Sequence, residues 1–229
     1  HLFSRERLEN ACSIILDEMS SFISAFISIG KTVTGIQNIY STYESALLGI
    51  QRAFFHEPGD VIWFSDISMT HYRFSPDKLN RFSELIAQES GDKAEFLVKS
   101  LTSDIKRFDA TPINECKDYY YRLLLELVNA SKKYGIRLPE VPVLDADIWE
   151  KFLNFTSIHE MENFLLRQIS AYFQNLSEEK INNGAVIAAI QYISVHYHEE
   201  DMTICRISEH TNLTPAYLSH VFKKATGKT

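Results

Sequence analysis

Glycine and proline are scarce, at 8 and 6 among 229 residues. A collagen-like or linker-rich chain is thereby excluded. The three cysteines, Cys12, Cys116 and Cys205, lie far apart with no Cys-x-x-Cys or Cys/His ligand spacing. That excludes a disulfide scaffold and a zinc cluster, and predicts buried free thiols in a reducing cytosol. No apolar run approaches the roughly 20 residues of a membrane span. The charged start Arg5-Glu6-Arg7 is unlike a signal peptide. A cytoplasmic protein with no membrane contact is expected. Catalytic motifs are missing as well, with no P-loop, Gly-x-Gly-x-x-Gly or Gly-x-Ser-x-Gly. Acids such as Asp145, Asp147 and the run Glu199-Glu200-Asp201 fall at helix ends or in loops, where solvated caps are the ordinary reading. Neither enzyme activity, a cofactor nor a metal site is expected.

Positive charge is short overall, for a formal net charge of -7. Such a balance repels phosphates and normally speaks against nucleic-acid binding. Its distribution is uneven, however. From Thr203 to Thr229 stand Arg206, Lys223, Lys224 and Lys228 against Glu209 alone, a net of +3 that leaves -10 for the first 202 residues. An acidic body with a small basic tip follows.

The chain divides into three regions. Residues 1–70 read helix, strand, helix, strand. A helix over Arg5–Met19 would bury Leu8, Ala11, Cys12, Ile15 and Met19. Phe22–Ile29 is β-rich, and Gly35–Phe55 is helical with Ile39, Tyr43, Ala46, Leu47 and Ile50 inward. Pro58-Gly59-Asp60 makes a turn before the strand Val61–Phe64. Two strands alone make a poor sheet, so this region looks like half of an α/β domain. Residues 71–180 read as entirely helical. Ser75-Pro76 and Thr111-Pro112 each place a capping hydroxyl before a proline at the first helical position. Ser157 to Glu160 is a capping box, and Ser177-Glu178-Glu179 places acids as at a helix start. Tyr119–Val128 is apolar almost all round and predicts a central helix, while residues 135–142 form a loop. Residues 181–229 open with a stripe of Val186, Ile190, Ile193 and Tyr197. A short helix follows with Ile204 and Ile207 inward, and Thr214-Pro215 starts another. The fold class is mainly α, with a small α/β piece at the N-terminus.

The last helix separates into faces. Leu218, Val221, Phe222 and Ala225 form a core stripe at i, i+3, i+4 and i+7. Ala216, Ser219, His220 and Lys223 lie opposite, and Gly227 supplies a left-handed stop. Two short helices with small residues leading the second are helix-turn-helix geometry. A plain helical hairpin with a solvated basic face has the same spacing. The residues add to it. Leu213, Pro215, Tyr217-Leu218-Ser219, Phe222-Lys223-Lys224 and Gly227-Lys228 resemble the first helix-turn-helix of AraC/XylS-type transcription regulators. The usual alanine of the first short helix is Ser208 here, and His220 stands where an arginine is common.

The resemblance implies that Ala216, Ser219 and His220 face DNA bases, and that Tyr217, Lys223 and Lys224 lie near phosphate. Packing against the preceding helix is the other reading of Tyr217. The family's DNA-binding domain is about twice the length matched here and carries a second helix-turn-helix. On that ground the chain is expected to be a fragment that binds DNA weakly until extended. Ile27 to Gly30, Ser41 to Leu47 and Val61 to Phe64 together resemble the end of the degenerate cyclase-like (GGDEF-like) module of large AraC-type regulators, including response regulators of the YesN kind. This second resemblance implies an input placed before the cyclase-like module, either a receiver domain addressed by a sensor kinase, which is the version favoured, or a membrane-tethered sensor. Double-stranded DNA and a second copy of the chain are the expected partners. A helical protein–protein or small-molecule-sensing module without DNA binding is the alternative.

Overall fold

A computed structural model describes residues 4–66, 70–141 and 145–228. The first unit contains helix α1 (Arg5–Ser20), strand β1 (Ile27–Ile29), helix α2 (Ile39–Arg52) and strand β2 (Val61–Trp63). Ser4 caps α1 by accepting the Arg7 N–H. The strands pair in parallel, with Ile27 opposite Val61 and Ile29 opposite Trp63. A parallel pair needs a crossover, and α2 supplies it. The strand expected from Phe22 is confined to three residues, and Phe22 itself is exposed.

The inward faces of α1 and α2 are not the expected ones. On α2 the buried residues are Ser45 and Gly49, whereas Ile39, Tyr43, Leu47 and Ile50 are exposed. The cause is close approach. A Cβ on Gly49 would lie 2.0 Å from Ser28 Oγ, and that hydroxyl donates to the Ala46 carbonyl at 2.8 Å. Ser45 donates to the Thr42 carbonyl and accepts the Lys31 N–H. A helix pressed this tightly onto a strand must present small side chains. On α1, Cys12 and Leu16 are buried, while Ile15 and Met19 are exposed.

The body is built from α3 (Pro76–Ala87), α4 (Gly91–Lys106), α5 (Ile113–Tyr134), α6 (Asp145–Leu153) and the first half of α7 (Ile158–His196). The fold is thus mainly α, as expected. Helix α5 is central, with Tyr119, Tyr120, Leu123, Leu124, Leu127 and Val128 buried. Ser75 and Pro76 start α3 as expected. Ser157 accepts the Glu160 N–H, and the Glu160 carboxylate returns to the Thr156 N–H at 2.7 Å. The start of α5 is offset by one residue, with Pro112 at the cap. The Thr111 hydroxyl instead accepts the Tyr72 N–H at 2.7 Å and donates to the Phe108 carbonyl. Phe54 and Phe55 insert into the body core from the first unit.

Ser177, Glu178 and Glu179 start no helix, because α7 runs unbroken through them for 39 residues. At 1.5 Å per residue that is about 58 Å. A division drawn at residue 180 therefore falls inside one helix. Inward residues such as Leu176, Val186 and Ala189 hold it against its neighbours. Beyond residue 180 the buried stripe is Val186 and Ala189, and Ile190 and Tyr197, expected inward, are exposed. Helices α8 (Ile204–Thr211) and α9 (Pro215–Thr226) pack on this second half.

Candidate nucleic-acid interface

Each boundary of the terminal pair has a local cause. Thr203 caps α8 by accepting the Arg206 N–H. Asn212 ends it in the left-handed region at φ 54°, a conformation its short polar side chain tolerates. Thr214 caps α9 by accepting the Tyr217 N–H, with Pro215 at the first helical position. Gly227 stops α9 at φ 70°. Arg206 ties α8 to the turn that follows α7, reaching Glu199 at 2.8 Å and Asp201 at 2.6 Å. His196 and Arg206 together hold the Glu199 carboxyl below its ordinary range.

Leu218 and Val221 anchor α9 in the core, and Phe222 is half-buried. Ala225, expected on that stripe, is exposed. On α8, Ile204 is exposed and the buried residue is Ser208, whose hydroxyl donates to the Cys205 carbonyl at 2.8 Å. A small residue there lets the helices approach. Cys205 is exposed, contrary to expectation, while Cys12 and Cys116 are buried, and all three are free thiols. Burial pushes the Cys116 thiol up to about 12.

Ala216, Ser219, His220 and Lys223 are exposed together on α9. The Ser219 hydroxyl donates to the Pro215 carbonyl at 2.9 Å. Tyr217 and Lys224 point along the adjacent flank, toward α7. Tyr217 donates to Asn182 Oδ1 at 3.0 Å, and Lys224 pairs with Glu179. Tyr217 thus combines partial exposure with the contact to the preceding helix. Asn182 and Glu179 stand 35 and 45 residues away from these partners, and no sequence spacing signals the contacts.

Among the described residues, no group of three or more His, Cys, Asp or Glu could hold a metal ion, and no helix is long and apolar enough to cross a membrane. Of the body's aromatic residues, Tyr119, Tyr120, Phe152, Phe164 and Tyr172 are buried, and Tyr121, Phe155 and Phe173 are partly buried.

A short helix, a turn and a second helix with an acid-free outer face define a helix-turn-helix unit mounted on a long helix. No protein-family model and no solved structure matches the chain. It is similar to the arabinose operon regulatory protein of Escherichia coli (strain K12), at 22% identity over 213 residues. The match covers 92% of this chain and 66% of that protein, so the chain spans just under two thirds of its relative's length.

Proposed function

We propose that this chain acts in a DNA-binding transcription regulator of the AraC type, with α9 as the helix that enters the major groove. The observation that carries this reading is the exposed set Ala216, Ser219, His220 and Lys223 on a helix anchored by Leu218 and Val221. The similarity to a regulatory protein supports it. A groove about 12 Å wide admits a helix with small leading residues, and a following lysine reaches phosphate. The role is regulatory and not catalytic, and the site of action is the cytoplasm.

The finer reading is a response regulator of the YesN kind, addressed by a sensor kinase through a receiver domain. The helix–strand–helix–strand order of the first unit supports its cyclase-like part. The regulator acts as a homodimer, a reading supported by the apolar side chains exposed on α1 and α2, among them Ile15, Met19, Tyr43 and Leu47. Light scattering on the chain tests dimerisation, and a strict monomer at high concentration would count against it. DNA binding is tested by anisotropy with duplex DNA across a salt series. Lys223→Gln should weaken binding and lower the slope of log affinity against log salt by about one. A slope unaffected by the substitution would remove Lys223 from the interface.

A further inference from the structure

The two lysines of α9 stand in opposite situations. Lys223 is exposed and pairs with no acid among the described residues, whereas Lys224 is held by Glu179 of α7. Tyr217, two turns earlier on the Lys224 flank, is held by Asn182. His220 lies between them, and the same side of α9 closes a groove with Arg137, Asn175 and Glu178. Arg137 belongs to the loop that follows α5, so the helical body itself stands beside the helix.

A helix lying in a major groove has a phosphate strand on each side. On the other side of α9, Ala216, Ser219 and Lys223 are exposed, and no acid among the described residues pairs with Lys223. On the Tyr217 and Lys224 side a strand meets Glu178 and Glu179 and the loop carrying Arg137. It must displace Glu179 from Lys224 before it gains that cation. We propose that the body masks this flank, so that α7 and the loop after α5 compete with one phosphate strand for Tyr217 and Lys224. The proposal rests on the DNA-binding reading of α9. The structure described is then the restrained form, and any signal that draws the body away from α9 raises DNA affinity.

The test compares the parent chain, Glu179→Gln and Asp17→Asn, the last removing one negative charge from an exposed position on α1. Binding to a random duplex is read by anisotropy at about 50 mM salt, where phosphate contacts are strong. Amide exchange over residues 217–224 is read without DNA. Glu179→Gln should bind about threefold tighter than the parent, the scale of a partly exposed ion pair, and should exchange faster over α9. Asp17→Asn should do neither. Glu179→Gln no tighter than Asp17→Asn, or unchanged in exchange, overturns the proposal and leaves the DNA reading standing. If none of the three binds even at that salt, where phosphate contacts alone should hold a weakly binding fragment on duplex DNA, the DNA reading falls and takes the proposal with it.

Discussion

Tyr120 and Thr102 share a hydrogen bond of 2.6 Å with both residues buried, joining α5 to α4. The direction is set by a second bond. The Thr102 hydroxyl donates its single proton to the Val98 carbonyl, so Tyr120 is the donor. The two deletions should therefore differ. Tyr120→Phe removes a donor and leaves Thr102 with a partner, at a cost of about 1 kcal/mol. Thr102→Val strands the buried phenol and should cost more, up to about 3 kcal/mol. Urea unfolding of both variants measures the order, and equal costs would contradict the assigned direction.

His56 joins the first unit to the body, with Asp60 at 3.3 Å and Asp109 at 3.9 Å. The Asp109 contact is the main cause raising its pKa, with Asp60 adding and burial opposing. A raised folded value stabilises the fold fully below the unfolded value of about 6.5 and loses that contribution as pH rises through the folded value. His56→Gln should therefore destabilise at about pH 5.5 and change little at about pH 9. The difference should stay under about 1 kcal/mol, since the ring is partly solvated. Equal destabilisation at both pH values would argue against the ion pair.

Gly49→Ala should loosen α2 from β1. The added carbon meets Ser28 Oγ, and rotating Ser28 away sacrifices its bond to the Ala46 carbonyl. An overpacked contact of this kind costs about 1–3 kcal/mol. Adding Ser28→Ala should recover part of the loss. Urea unfolding followed by Trp63 fluorescence in a Trp149→Phe background reports on this unit, and full additivity of the two substitutions would show that they do not clash.

In the turn before α9, Asn212→Gly should be neutral or slightly stabilising, because φ is already positive. Asn212→Val should cost about 1–2 kcal/mol, since a β-branched side chain is strained in that region. Thr214→Ala should cost about 1 kcal/mol through the lost cap. Thermal melts by circular dichroism give all three, and a stable valine variant would mean that the turn can change shape.

The helices' existence and many of their ends could be read from the sequence by itself. Ser75, Ser157 and Thr214 cap helices through bonds to residues two or three positions away, so the signal is contained in a few neighbours. The all-helical body, the central α5 and the loop after it follow from apolar content and Gly135, all local. The anchoring of α9 by Leu218 and Val221 follows from an apolar stripe about two turns long on one face of the helix.

Tertiary structure alone decided which face of α1, α2 and the second half of α7 turns inward. On α2 the nearest neighbour is a strand at close range, so Ser45 and Gly49 won over larger apolar residues that periodicity favours. It also decided that α7 continues past Ser177, because packing along both halves outweighs a local pattern that imitates a helix start. The Tyr217–Asn182 and Lys224–Glu179 contacts belong to the same class. They join residues far apart in the chain that meet only because α9 folds back along α7, and nothing local to either residue encodes that approach.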